Sequence, residues 1–243
     1  MNNFGIITLA LVAGAATFVG VFIGSRRNYG DKAITFGSAF AAAIMVLISG
    51  FELIPEAIRF GSYASSGIYI IVGIIFIALA NYIIPHLHTV HDINNCDQRC
   101  LVRASYLIAI GLVLHDFPEG FAIPSSFSAS SSIGLTVIIS SFLHNIPEGY
   151  AMTVASANIK DGFGYKSAAF STLASLVGAI LGTILINSFD GFLVVFLSVA
   201  AGAMLYISFH ELLPMAIKNK EKLMLISGAS LAVVVFILLD VIC

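Results

Sequence analysis

Runs of about twenty apolar residues follow one another along nearly the whole chain, separated by short polar stretches. That length is what a helix needs to cross the ~30 Å hydrocarbon core of a bilayer. Eight runs are delimited this way, over residues 4–25, 34–57, 67–85, 103–124, 132–156, 166–187, 190–216 and 223–242. In a chain of 243 residues they leave short loops and no room for a soluble domain. Apolar residues are 59% of the chain and charged residues only 10%, against roughly 25% charged in an ordinary soluble domain. A soluble enzyme, a disordered tail and a nucleic-acid binder are thereby excluded. The chain reads as an all-α polytopic membrane protein, a single transmembrane domain over residues 1–243. The first run carries Arg26 and Arg27 after it rather than before it, so it is expected to be a retained span and not a cleaved signal.

The net charge of −2 says nothing about partners, but the placement of the basic residues does. Arg26, Arg27 and Lys32 follow span one, Arg99 and Arg103 precede span four, Lys160 and Lys166 separate five from six, and Lys218, Lys220 and Lys222 separate seven from eight. In an eight-span chain these ten share one side, and of the eleven Lys and Arg only Arg59 lies opposite. Basic loops stay cytoplasmic, which predicts an even number of spans with both termini extracytoplasmic.

Span two carries FELIPEAI (51–58) and span seven FHELLPMAI (209–217); spans four and five carry HDFPEG (115–120) and HNIPEG (144–149). Within each pair the two spans run in opposite directions, and inverted repeats around a polar centre are a transporter architecture. Small residues at Gly20 and Gly24, and at Ser171, Ser175, Gly178 and Gly182, let helices approach closely. They serve either packing or a sliding surface.

Polar groups stand where a span should be apolar. Span four holds His115, Asp116 and Glu119, and span five holds His144, Asn145 and Glu148. A carboxylate at the centre of a bilayer costs about 3 kcal/mol or more, so such groups need a use. His115 and Glu119 are four residues apart, as are His144 and Glu148, which sets each pair on one helix face. Two antiparallel helices with facing pairs converge two imidazoles and two carboxylates, a donor set for a borderline divalent ion such as zinc. Asp116 and Asn145 lie about 100° round from the leading histidines and are expected to offer oxygens to a neighbouring position. Pro118 and Pro124 are expected to interrupt span four, Pro147 span five and Pro214 span seven. Pro118 and Pro147 lack the N–H that the carbonyls of Leu114 and Leu143 would accept; freed carbonyls are tolerated where backbone lines a cavity.

Other polar residues leave alternatives open. Glu211 is a candidate ligand and Glu52 a weaker one; both could instead form a hydrogen-bonded pair that steadies the bundle. His210 is a relay ligand or a packing histidine. Glu56, Asp190 and Asp240 lie near span ends and are expected to be hydrated. The loop 86–102 holds His86, His88, His91, Asp92, Cys96, Asp97 and Cys100 and is expected on the cytoplasmic side. It either binds arriving metal weakly or is a polar connector with reduced thiols, and its spacing matches no closed structural zinc site. His210-Glu211 begins like a zinc-hydrolase HExxH, but the closing position is Pro214, so that motif fails.

HDFPEG and HNIPEG together resemble the paired signature of the ZIP family of divalent-metal transporters, in its bacterial form. The order of spans, the His-bearing loop after span three and FHELLP in span seven extend the resemblance over essentially the whole chain. The resemblance implies eight transmembrane helices in a 3+2+3 arrangement with a central metal site on helices four and five. By motif position His115, Glu119, His144 and Glu148 would be transport ligands, with Asp116 and Asn145 in a second metal position. It further implies import of zinc, with iron, manganese or cadmium as other cargo, no prosthetic group, and an elevator in which spans one, four, five and six move against two, three, seven and eight. Homodimers are common in the family. Two positions depart from the family pattern: Asp116 replaces the usual Asn, and Ser175 stands where span six usually has a metal-bridging Glu. Total charge is thus kept while the second position is rebuilt or weakened. An intramembrane zinc-dependent hydrolase and a non-transporting metal sensor are the rival readings.

Overall fold

The structure is a computed structural model that describes residues 2–26, 30–83, 116–155, 162–188, 191–218 and 220–242. The loop 86–102 with its histidines and cysteines, the first part of span four including His115, and Asp190 lie outside the described residues. The described residues form eight helical runs and no strand. They are α1 (Asn3–Arg26), α2 (Gly30–Phe60), α3 (Tyr63–Ile83), α4 (116–129), α5 (Ser131–Ala155), α6 (Phe163–Ser188), α7 (Phe192–Lys218) and α8 (Lys222–Ile242).

Six of them, α1, α2, α3, α6, α7 and α8, are long and apolar enough to cross a membrane. The two that are not among the six carry the histidine motifs. Only fourteen residues of α4 are described. The helix α5 is long enough at 25 residues, but His144, Asn145 and Glu148 interrupt its apolar character. Where lipid replaces water, every backbone group must be satisfied inside its own segment, and helices do that. The outer faces show the solvent they are built for: Ile68, Ile71, Val72, Ile75 and Phe76 of α3 and Val233, Val234, Ile237 and Leu238 of α8 are all exposed. The core lies between α2 and α7, where Ile44, Met45, Ile48, Leu53, Leu197 and Met204 are buried.

The repeated FELIPEAI and FHELLPMAI segments share a backbone feature. A π turn occupies Ser49–Leu53 in α2 and Ser208–Leu212 in α7. In each, an N–H reaches back five residues, Ile54 to Ser49 and Leu213 to Ser208. Pro55 and Pro214 follow at once. A proline withholds one helical donor, and the turn ahead of it widens by one residue rather than breaking. The prolines of α4 and α5 are likewise absorbed. Pro124 was expected to interrupt span four, yet α4 runs to residue 129, and Ser125 and Ser126 donate to the carbonyls of Phe121 and Ala122, both at 2.7 Å. Pro147 lies inside a continuous α5.

Close crossings tie the helices together. A Cβ on Gly149 of α5 would stand 2.1 Å from the Thr17 carbonyl of α1, and one on Gly20 of α1 2.0 Å from the Ile146 carbonyl of α5. The same reciprocal contact joins α4 to α6, through Gly120 on the Ser175 carbonyl and Gly178 on the Phe117 carbonyl. In lipid, helix association depends on such packing because the solvent is as apolar as the side chains. Of the small residues in the sequence, Gly20 and Gly178 are therefore packing positions.

Candidate metal centre

Glu119 of α4 and His144 of α5 are 25 residues apart and in contact, with Nε2 and Oε2 separated by 3.1 Å. Continuous helix would place them about 37 Å apart, so the chain reverses at Ser130. Ser130 manages the reversal with its own atoms: its N–H donates to the Ser126 carbonyl, its carbonyl receives the Gly134 N–H, and its hydroxyl receives the Ser132 N–H. The outcome is an antiparallel hairpin that brings Glu119 of one motif against His144 of the other. Both side chains of the pair are essentially inaccessible. The contact is enclosed away from water, and losing one side of a buried hydrogen bond costs about 1–3 kcal/mol. A divalent cation between the two side chains would satisfy both.

Asp116 and Asn145, at the second positions of the motifs, face other helices. The Ser171 hydroxyl of α6 donates a short hydrogen bond to Asp116 Oδ2. The Asn145 amide donates to the Ala13 carbonyl of α1 at 3.0 Å, and Thr172 of α6 donates to the next carbonyl, Gly14, at 3.0 Å. Both motifs are thus tied to α1 or α6 by a residue adjacent to a metal-binding candidate. Ser171 and Thr172 are contributions that sequence reasoning missed; Ser171 was read as a small residue serving packing or a sliding surface. The useful signal was a hydroxyl one turn before Ser175, on the same helix face. Ser175 is buried beside α1, its Cβ 3.5 Å from where a Cβ on Gly14 would be. Among the described residues, Asn145 Oδ1, Ser175 Oγ and Thr17 Oγ1 are buried and take no hydrogen bond.

Glu148 is buried one turn beyond His144. Glu211 lies in the π turn of α7 and is half-buried, and the neighbouring His210 stacks on Tyr206 with ring centroids 4.7 Å apart. Among the described residues no group of three or more His, Cys, Asp or Glu side chains is gathered closely enough to hold an ion. The fourth motif residue, His115, is outside them. One expectation is corrected. Glu56 is not hydrated: it is only 6% exposed and accepts from Arg59 at 2.8 Å. The chain packs Glu56 inward one turn from the only basic residue of that end, so the charge is matched by a neighbour and not by water. Asp240 is exposed as expected.

The ZIP zinc transporter family model matches residues 88–239, more than half of the chain. The chain is 34% identical over 234 residues to the zinc transporter ZupT of Corynebacterium efficiens, covering 87% of each. It is 31% identical over 225 residues to the zinc transporter ZupT of Escherichia coli O7:K1, covering 86% of each. The protein of the same name from Salmonella newport is 31% identical over 223 residues, again with 86% of each covered. All are named as transporters rather than enzymes, and the hydrolase reading falls with that. With six membrane-length apolar helices, two antiparallel histidine motifs brought into contact, and these relatives, the chain is a multi-pass membrane protein that belongs to the ZIP zinc transporter family.

Proposed function

We propose that this protein carries divalent transition-metal ions, zinc foremost with iron, manganese and cadmium as further cargo, across the cell membrane into the cytoplasm. The observation that carries the reading is the enclosed Glu119–His144 contact between α4 and α5. An imidazole nitrogen and a carboxylate oxygen 3.1 Å apart need only separate slightly to admit an ion bonded to each at about 2.0–2.2 Å. His115 and Glu148 complete the donor set, and Asp116, Asn145 and Glu211 supply oxygens nearby. The ion sheds water onto these groups, whose negative charge offsets its desolvation. The same groups then face the cytoplasm. Zinc transport by the named relatives, over most of both chains, supports the cargo.

Transport is by elevator-type alternating access, with α1, α4, α5 and α6 moving against α2, α3, α7 and α8 in a 3+2+3 array. Support comes from the way α1, α4, α5 and α6 are joined to one another, by glycine crossings and by the Asn145, Ser171 and Thr172 hydrogen bonds. The test is zinc uptake by proteoliposomes containing the wild-type protein, Glu119→Ala or Glu148→Ala. Wild-type uptake should exceed that of either variant at least about tenfold, since loss of one charged ligand contact is worth ~1.5–3 kcal/mol. Equal uptake in all three would refute the site. Binding with no flux in the wild type would make the protein a sensor.

A further inference from the structure

The buried polar residues of α5 form one continuous line. Thr136, Ser140, His144 and Glu148 follow at intervals of four, and Ser141 and Asn145 lie beside them at the same interval. All six are buried. Residues three and four apart share a helix face, so the His144 face continues for two turns toward the Ser131 end. His144 and Glu148, with Glu119 of α4 opposite, account for the metal-binding part of that face. They leave Ser140 and Ser141 without a task.

A buried hydroxyl on a helix always has one acceptor in reach, the carbonyl four residues back. Some buried hydroxyls of this protein use that acceptor, whereas among the described residues those of Thr17, Ser49, Ser66, Ser175 and Ser198 make no hydrogen bond. Ser125, Ser126, Thr183 and Ser208 each donate to that carbonyl at 2.7 Å. Ser140 and Ser141 do not. They are 0% and 1% exposed, and among the described residues neither Oγ makes a hydrogen bond. Neither hydroxyl is bonded to its own helix, in an interior where an unsatisfied polar group is costly. Buried groups of this kind are normally completed by water or a ligand. On the side away from His144 stand the buried apolar residues Val137 and Ile138 of α5 and Ile123 of α4, with Thr136 the one buried hydroxyl of that stretch of α5. The Phe127 ring of α4 lies against Gly134 of α5, where a Cβ would come within 2.4 Å of it. The two hydroxyls thus sit between an apolar plug and the Glu119–His144 pair.

We propose that Ser140 and Ser141 form a transit position for a partly hydrated divalent cation, one turn before the Glu119–His144 pair on the leg that opens at the Ser131 end. The inference rests on the transport reading. A neutral hydroxyl oxygen can bind a hard or borderline cation directly, or accept from the waters the ion still holds. It does so without the charge that would trap the ion. Carboxylate and imidazole then replace the remaining water one turn further on. The position is closed in this structure, and opening it requires only that the apolar plug of Ile123, Phe127, Val137 and Ile138 part.

Two measurements on the full chain in proteoliposomes test this. First, Ser140→Ala/Ser141→Ala should lower the initial rate of zinc uptake about tenfold, the equivalent of two ordinary hydrogen bonds. Equilibrium zinc binding by the purified double variant should be unchanged. An uptake rate within about twofold of wild type, or parallel losses of rate and binding, would overturn the proposal. Second, Ser140→Cys and Ser141→Cys, with Cys96, Cys100 and Cys243 replaced by serine, should react with a small methanethiosulfonate reagent and be protected by zinc. Ile138→Cys, one turn away in the apolar plug, is the reference. Reaction no faster than at that reference, without zinc protection, would also overturn it. Loss of the transport reading shows separately, as absent wild-type flux, and leaves the labelling comparison intact.

Discussion

Asp116 is a buried acid of α4 whose Oδ2 accepts from a partner 55 residues away, the Ser171 hydroxyl. Asp116 and Ser171 are both buried, so truncating the serine strips a hydrogen bond from a carboxylate that has no water to fall back on. Ser171→Ala should destabilise the protein by about 1–3 kcal/mol. Adding Asp116→Ala to it should recover part of the loss, because an absent acid needs no partner. Thermal unfolding of the single and double variants in detergent gives the coupling; additive losses would show that the contact is unimportant. Ser175, one turn further along α6, tests a second idea. Its unpartnered hydroxyl lies beside α1, where the family pattern has a carboxylate. If Asp116 carries the charge that position 175 lacks, the centre holds fewer ions than two full carboxylate sets would. Ser175→Glu should then raise the number of zinc ions bound per chain, counted by elemental analysis of the purified protein. An unchanged count would contradict the idea. The i,i+4 spacing puts the side chains of each motif on one helix face, but the Glu119–His144 contact itself also depends on the reversal at Ser130, outside both motifs. The partners of Asp116 and Asn145 were not legible. They come from α6 and α1, and nothing local in HDFPEG or HNIPEG encodes which serine or which carbonyl stands opposite.

Helix spans were legible for the same kind of reason: an apolar run either reaches across a bilayer or it does not. The π turns were not legible. Proline in FELIPEAI and FHELLPMAI signals a disturbed helix, but sequence reasoning cannot choose between a kink, a break and a turn widened by one residue. Pro124 illustrates the error in the other direction, since α4 passes through it unbroken. What holds the elements to one another is also only half visible in the sequence. Gly20 and Gly178 were recognisable as small residues, whereas their reciprocal partners Gly149 and Gly120 stand inside HNIPEG and HDFPEG, where the polar residues draw the eye first. Gly20→Ala and Gly149→Ala each drive a methyl to within 2.0–2.1 Å of a backbone carbonyl. The α1–α5 crossing must open, and overpacking of this sort costs about 1–3 kcal/mol. Gly67→Ala on α3 is the contrasting case, because a methyl there meets nothing within 4 Å. It should leave stability unchanged or raise it by about 0.5–1 kcal/mol through helix propensity. Measured together in one detergent, the three variants separate loss of packing from a general intolerance of substitution. Equal melting temperatures for all three would mean that the crossing does not limit stability.

For the molecule as a whole, direction of transport and orientation in the membrane are one question. The basic-residue pattern predicts that the turn between α2 and α3 faces outside, and that the turn between α7 and α8, with Lys218, Lys220 and Lys222, faces the cytoplasm. Ser62 and Lys220 lie in those two turns, between Phe60 and Tyr63 and between Lys218 and Lys222. In a cysteine-free chain, Ser62→Cys should react with a membrane-impermeant maleimide on intact cells. Lys220→Cys should react only after the membrane is opened. The reverse result would turn the protein over and, with it, the predicted direction. Orientation matters energetically because the cargo is doubly charged. Moving it inward along a potential that is negative inside is favourable by about 4.6 kcal/mol per 100 mV, more than a thousandfold in equilibrium accumulation. Import through the proposed Glu119–His144 site would therefore need no further source of energy at low external metal. Uptake by oriented vesicles should rise when an inside-negative potassium diffusion potential is imposed and fall when it is reversed. Indifference to the sign of the potential would mean that compensating charge moves with the ion, and the site would then have to carry that charge as well.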